Sequence, residues 1–368
     1  MSEDVFDIEF MRRALDLAQQ GLGRVAPNPS VGCVIVKDGV IAGEARTADH
    51  GRPHAERRAL EMAGDKALGA TVYVTLEPCN NHGVTSPCVD ELIEAGVARV
   101  VISCRDPFQT SEHSGGIQKF KDAGIIVDEG VLGNESNALN EGFFLFSQEN
   151  RPFVSAKIAS SLDGRIATKS GESKWITGSL SRQRGHIFRA MHDAVLCGIG
   201  TVLADDPSLT VRLDGHDGFQ PVRIIIDRDL KIPLECKLVL SSKNHPVWIV
   251  CNEGAPSDKK KNLCDLGLIL IELKPDLDGR FFALDVLQAL AQKGMTRVLI
   301  EGGGDTISTF LREGMVDQLL WFRAPKIIGG DGVPALPILN VEGMDECLRL
   351  SLLESERLGD DILEIWKL

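Results

Sequence analysis

The chain has 368 residues, of which 43% are hydrophobic and 25% charged, and its formal net charge is -13. That length sets two domains as the expectation, at roughly 100–200 residues each, while the acidic balance disfavours gripping a nucleic-acid backbone, which needs clustered Lys and Arg. No run approaches the ~20 apolar residues of a membrane helix, and nine cysteines behind an acidic start without an apolar core read as reduced thiols of a cytoplasmic protein, some available to metal.

In chain order, Ile8, Met11, Leu15 and Ala18 recur at helical spacing and predict a helix over 7–20. Two apolar runs, 31–36 and 40–44, flank Asp38-Gly39 and predict a β-hairpin. A helix over 54–63, a strand over 71–76, a helix over 87–95 and a strand over 97–103 follow, an alternation that implies βαβ units and a partly parallel sheet. The apolar pattern lapses over 147–152, which places a boundary between domains 1–149 and 150–368. Beyond it, strands are expected over 153–160, 194–200, 222–226, 247–250 and 266–273, a helix over 285–293, a buried strand over 297–301, a helix over 306–313 and a strand over 316–322. Both halves are therefore expected to be α/β.

Three segments carry the first chemistry: Pro53-His54-Ala55-Glu56, Glu77-Pro78-Cys79 and Pro87-Cys88. One His and two Cys suit zinc, with a fourth position left for water, and zinc lowers the pKa of bound water toward neutrality. This pattern, His-x-Glu followed by two cysteines after prolines, is that of zinc deaminases, though their cysteines are usually two residues apart and here eight lie between Cys79 and Cys88. Glu56, two residues after one ligand and not itself a ligand, is the candidate proton carrier. His54 and Cys88 both fall at expected helix starts, where partial positive charge favours a thiolate. Taken singly, each of these residues could equally be a buried His or Cys with no role; together they point to one metal.

With Pro27-Asn28-Pro29-Ser30-Val31-Gly32-Cys33 and Thr75-Leu76-Glu77-Pro78-Cys79, these segments resemble the deaminase half of the bifunctional riboflavin-biosynthesis deaminase–reductases. The resemblance implies a cytidine-deaminase-like zinc domain with one Zn2+ per chain, held by His54, Cys79 and Cys88, with Glu56 catalytic and Asn28 holding substrate; Asn28 also reads simply as a turn residue. The chain departs from that family at Asn81 and Val84, where a His and a basic residue are usual, at Phe108-Gln109, at Ser114-Gly115-Gly116 and at Arg46, where a His is common. These departures fall on substrate and phosphate recognition, which leads us to expect an intact zinc site with weakened binding unless Arg46, His82 or His113 compensates.

Four blocks of the second half, 157–165, 173–177, 200–212 and 301–306, resemble the reductase domain of the same family, a dihydrofolate-reductase-like α/β fold. Gly302-Gly303-Gly304 between a strand and a helix suits a bound anion, but it is not the G-x-G-x-x-G dinucleotide fingerprint. The resemblance implies NADPH contacts at Ala159, Trp175, Thr201, Asp205, Gly303, Gly304, Asp305, Thr306, Ile307, Ser308 and Thr309, and substrate contacts at Ser173, Arg189, Leu209, Arg212 and Glu301. Arg189 and Arg212 are expected to clamp phosphate, guanidinium offering a bidentate fork; otherwise they are a solvated surface pair, Trp175 plain core and Asp205 a turn acid. The implied function is deamination of a small phosphorylated pyrimidine and then NADPH reduction of its ribosyl group, with pairing of chains through the reductase domains. The alternative is a reductase whose zinc half is structural or impaired.

Overall fold

In the computed structural model, which describes residues 3–81, 86–107 and 115–368, the chain divides into two compact units, Met1–Glu149 and Asn150–Leu368. The first runs α1 (Glu3–Gln19), β1 (Gly32–Lys37), β2 (Val40–Arg46), α2 (Ala55–Ala63), β3 (Thr71–Leu76), α3 (Cys88–Glu94), β4 (Arg99–Cys104), α4 (Gly116–Asp122), β5 (Ile126–Glu129) and α5 (Gly133–Glu149). Its sheet has the order β2-β1-β3-β4-β5. β1 is antiparallel to both β2 and β3, whereas β3, β4 and β5 run parallel.

The two-residue period of β1 sorts its side chains to opposite layers. Cys33 and Ile35 join Ala55, Ala59 and Leu92 from α2 and α3; Val34 and Val36 join Met11, Ala14 and Leu17 from α1. Asp38 (φ 52°) and Gly39 (φ 76°) turn β1 into β2 in the left-handed region that a tight hairpin requires. α1 lies so close to β1 that a Cβ on Gly32 would stand 1.8 Å from the Ala14 carbonyl oxygen. An ionic staple fixes the same helix: Arg99 donates to both carboxylate oxygens of Asp7 at 2.8 and 2.7 Å, and the Tyr73 hydroxyl donates to Asp7 at 2.8 Å.

The second unit comprises β6 (Phe153–Ser161), β7 (Arg165–Ala167), α6 (Ser179–Ala190), β8 (Ala194–Gly198), α7 (Ile199–Asp205), β9 (Val222–Ile226), α8 (Lys237–Leu240), β10 (Val247–Asn252), α9 (Ser257–Asp265), β11 (Ile269–Leu273), α10 (Ala283–Ala291), β12 (Arg297–Ile300), α11 (Gly304–Arg312), β13 (Gln318–Ala324), β14 (Val333–Pro334), β15 (Ser351–Leu358) and β16 (Asp361–Lys367). Nine strands form one sheet in the order β11-β10-β9-β8-β12-β6-β13-β16-β15, and β14 pairs with β7. The seven strands from β11 to β13 are parallel; β16 and β15 return antiparallel as a terminal hairpin.

Two expected strands are corrected. The run 194–200 is a strand only to Gly198, which caps α7 with extended backbone, so Thr201 and Asp205 are helical. The run 266–273 is a strand only from Ile269; Leu266 ends α9 and Gly267 (φ 91°) turns the chain. Among the described residues, no helix is long and apolar enough to cross a membrane.

Candidate functional site

In the first unit, two strand-to-helix junctions, β2 to α2 and β3 to α3, deliver the metal-type side chains to one point. His54 is the residue preceding α2, Cys79 follows β3, and Cys88 is the first residue of α3 behind Pro87, which stands at the cap rather than inside the helix. His54 Nδ1 lies 3.6 Å from Cys79 Sγ and 3.4 Å from Cys88 Sγ, and the three ligand atoms all lie within 4.8 Å of one another. Tetrahedral zinc with bonds of ~2.3 Å to sulfur and ~2.0 Å to nitrogen subtends an N···S edge of about 3.6 Å, so the donor set has the size and chemistry of a zinc site with one position left over. Both cysteines are free thiols.

The local electrostatics suit a cation. The Cys88 thiol and backbone N–H, the latter 3.4 Å from Cys79 Sγ, together with His54, hold the Cys79 thiol down at about 4. Glu56, in the first turn of α2, is 4% exposed. Burial raises its carboxyl to about 7 against the opposing pull of His54, and the carboxylate faces the Cys88 thiol. Such a group can hold a proton near neutrality and release it.

Asn28 fulfils its turn role, its N–H donating to the Val25 carbonyl at 3.0 Å. Its carboxamide also packs on Gly51 (φ 86°), where a Cβ would come within 2.0 Å of Nδ2. Of the departures from the family pattern, Asn81 is exposed and Gly115 precedes α4; His82, Val84, Phe108, Gln109, His113 and Ser114 lie outside the described residues. A cavity of about 690 Å³ lined by Ser103, Arg105, Glu129, Asn134 and Asn137, among others, contains none of the candidate residues.

In the second unit, the carboxyl ends of central parallel strands converge, the usual place for a ligand crevice in such sheets. Gly302 (φ 96°) and Gly303 (φ 36°) adopt backbone that a side chain resists and expose the start of α11. Gly303 N–H donates to Thr201 Oγ1 at 2.8 Å, and a Cβ on Gly198 would meet Thr306 Oγ1 at 2.5 Å. Thr201, Gly303, Gly304 and Thr306 thus come together. Asp305 is exposed and Thr309 half-buried on the same helix, whereas Ile307 and Ser308 are 2% exposed, Ile307 within the core. Trp175, at 64% exposure, is not core; the Arg182 guanidinium stacks 4.5 Å from its ring centroid. Asp205 is exposed at the end of α7, and Ala159 lies on β6 opposite Phe322.

The expectation for Arg189 needs correction. It is neither a solvated surface residue nor a phosphate clamp with its fork free. Its side chain is 14% exposed. Nε and Nη2 engage both carboxylate oxygens of Glu301, the latter at 3.0 Å, and Nη1 donates to the Thr210 carbonyl at 2.8 Å. Burial pushes the Glu301 carboxyl up, but the charge and hydrogen bonds of Arg189, with Lys157, outweigh it and hold the group at about 2. Arg212 is exposed, with Nη1 3.1 Å from Thr210 Oγ1, and remains a phosphate-binding candidate. Ser173 is half-buried and Leu209 buried with φ 52°.

Two neighbours escaped notice in the sequence. Lys157 Nζ is 4.0 Å from Glu301 and 5.7 Å from the Phe322 ring centroid; a lysine inside an otherwise uncharged strand was the available signal. His186 Nδ1 is 3.5 Å from Arg189 Nη1, and burial, then Arg189 and Arg212, lower its pKa to about 4.

Comparison with known proteins agrees with both halves. Residues 5–104 match the family model of the cytidine and deoxycytidylate deaminase zinc-binding region, and residues 152–363 match that of the RibD C-terminal domain. The riboflavin biosynthesis protein RibD of Aquifex aeolicus is 40% identical over 361 residues, covering 98% of each chain. The solved RibD of Acinetobacter baumannii (form 1) superposes with a TM-score of 0.87 at 40% identity, covering 99% of each chain. A Thermotoga maritima structure, described as a diaminohydroxyphosphoribosylaminopyrimidine deaminase/5-amino-6-(5-phosphoribosylamino)uracil reductase, gives 0.86 at 36% identity, covering 100% of this chain and 99% of that one. With three full-length similarities and two family models spanning its two units, the chain belongs to the RibD family of riboflavin biosynthesis proteins.

Proposed function

We propose that residues 1–149 deaminate 2,5-diamino-6-(5-phosphoribosylamino)pyrimidin-4-one by hydrolysis and that residues 150–368 then reduce its ribosyl group to ribityl, with Zn2+ and NADPH as cofactors. The observation that carries the first half is the His54–Cys79–Cys88 triangle with the buried Glu56 carboxyl beside it. Bound there, zinc supplies a water acidified toward neutrality. Glu56 would carry one proton from the attacking water to the ring nitrogen as the C–O bond forms, and a second from the new hydroxyl to the amino group as the C–N bond breaks and ammonia leaves. Asn28 orients the pyrimidine. A purely structural first half has nothing in its favour, because closed structural sites use four protein ligands.

In the second half NADPH supplies hydride. The Gly302–Gly303 turn and the start of α11 receive the anionic part of the cofactor, with Ala159, Trp175, Thr201 and Asp205 completing its site. Ser173, Leu209, Arg212 and the Arg189–Glu301 pair meet the substrate, Arg212 on its phosphate. The enzyme works in the cytoplasm, without nucleic-acid partners. Two copies pair through the reductase halves: β15 is an edge strand exposing Leu352 (52%) and Leu353 (57%), and bare apolar edges are ordinarily covered.

A two-step assay on the phosphorylated pyrimidine tests this function, following ammonia and NADPH oxidation separately with zinc quantified. The reading requires ammonia release that depends on zinc and precedes NADPH consumption. NADPH oxidation without ammonia release contradicts it.

A further inference from the structure

The stretch 208–212 carries two of the residues proposed above to meet substrate, Leu209 and Arg212, and its backbone is not one a chain adopts unaided. Leu209 has φ 52°, in the left-handed region that a bulky side chain resists, and such a residue persists only where its surroundings over-determine it. Partial burial, then the charge of Arg189, lower the Arg212 pKa, with Glu301 pulling the other way more weakly. Two guanidinium groups so placed repel, so Arg212 stays beside Arg189 only if something other than charge holds it.

Gln220 supplies that hold. Its Oε1 accepts the Val211 N–H at 2.7 Å and its Nε2 donates to the Val211 carbonyl at 3.2 Å, so one carboxamide meets both backbone groups of the residue between Thr210 and Arg212. Val211 is 5% exposed, where an unmet backbone group is costly. Gln220 is itself anchored, because Pro221 restricts it to extended backbone and β9 begins at Val222. Within the stretch that the clamp closes off, Asp214, Gly215, Asp217 and Gly218 are exposed and offer Arg212 little packing support.

Other groups hold the same stretch but have further work. Arg189 donates to the Thr210 carbonyl at 2.8 Å while binding Glu301, and His186 Nδ1 accepts the Arg212 N–H at 3.4 Å. Arg223, 0% exposed, donates to the Ser208 carbonyl at 3.3 Å and to Ser241 Oγ at 2.8 Å, so its loss would disturb the core. Gln220 is uncharged, and replacing it alters how the loop is held without altering the charge around Arg212.

We infer that Gln220 is a positioning residue for the reduction step: by clamping Val211 it holds Leu209 and Arg212 in the arrangement that receives the substrate and its phosphate. The inference rests on the reductase reading above. The test follows NADPH oxidation by the full-length protein on the deaminated, phosphorylated pyrimidine. Gln220→Met keeps the length of the side chain and removes both bonds. KM for the pyrimidine should rise about 10-fold, because apparent affinity falls with the fraction of molecules whose loop is in place and two neutral hydrogen bonds set that fraction. The kcat at saturation, KM for NADPH and ammonia release by the first unit should stay close to the parent values. In an Arg212→Gln background most of the effect of Gln220→Met should disappear, because the clamp acts through Arg212. An unchanged KM for the pyrimidine in Gln220→Met overturns the inference. So does a loss of the same size in the Arg212→Gln background, or an equal rise in KM for NADPH, either of which makes Gln220 a support of the fold at large. A parent protein that does not oxidise NADPH on this substrate defeats the reductase reading itself, and this inference with it.

Discussion

Replacing Arg189 by Met removes the bidentate counter-charge of a carboxylate whose side chain is 8% exposed, leaving Lys157 at 4.0 Å as its remaining ion-pair partner among the described residues. Glu301 is held at about 2 against its ordinary 4.5; at ~1.4 kcal/mol per tenfold, that gap corresponds to about 3 kcal/mol. Removal of one partner from a buried pair costs a similar ~3–5 kcal/mol. All four tryptophans, Trp175, Trp248, Trp321 and Trp366, lie in the second unit, so tryptophan fluorescence in urea follows that unit within the intact chain. At a slope of ~2–3 kcal/mol per molar urea, the midpoint should fall by about 1 M. The sign with pH also follows: a carboxylate with a depressed pKa contributes fully above about 4.5, and its contribution fades as the pH falls toward about 2, so the deficit of the variant should shrink in acid. An Arg189→Met/Glu301→Leu double variant should recover much of the loss, because an apolar pair leaves no orphaned charge. A single-variant deficit below about 1 kcal/mol, the range of solvent-screened pairs, would refute the reasoning.

Cys88→Ser should lower zinc stoichiometry and abolish ammonia release while leaving NADPH oxidation on the already deaminated substrate intact, as metal analysis and the split assay will show. Gly304→Ala should weaken NADPH binding about tenfold or more, read by fluorescence titration, because its Cβ would stand 2.6 Å from the Ala335 carbonyl oxygen and 2.9 Å from Pro337 Cδ, and overpacking against backbone costs ~1–3 kcal/mol. Asp7→Asn should destabilise the first unit by about 2 kcal/mol at neutral pH, seen as faster hydrogen exchange in β1 and β3. Arg99 holds the Asp7 carboxyl below its ordinary range against burial, so that difference should vanish as the pH falls through the lowered pKa.

The zinc candidates were legible because residue type alone carries their chemistry: His and Cys bind metal wherever the chain brings them, and each follows or opens an element that the apolar pattern had marked. Pairings across long separations were not legible. Arg189 and Glu301 are 112 residues apart, and nothing local tells an arginine aimed at phosphate from one aimed at a carboxylate. Helix α6 escaped because its Ser- and Arg-rich sequence has few apolar residues to keep a period. Helix α7 was absorbed into a strand because the apolar run continues through Gly198 to Ile199. The β15–β16 hairpin was missed because five successive residues at the start of β15 face solvent, which erases the alternation of a half-buried strand.

Glu56 is the most direct test. Glu56→Gln keeps the size and burial of the side chain but removes its capacity to carry a proton, a role worth ~10²–10⁴ in rate. Ammonia release by the zinc-loaded variant should fall by that factor with zinc retained and NADPH oxidation on the deaminated substrate unchanged; release at the parent rate would contradict the account.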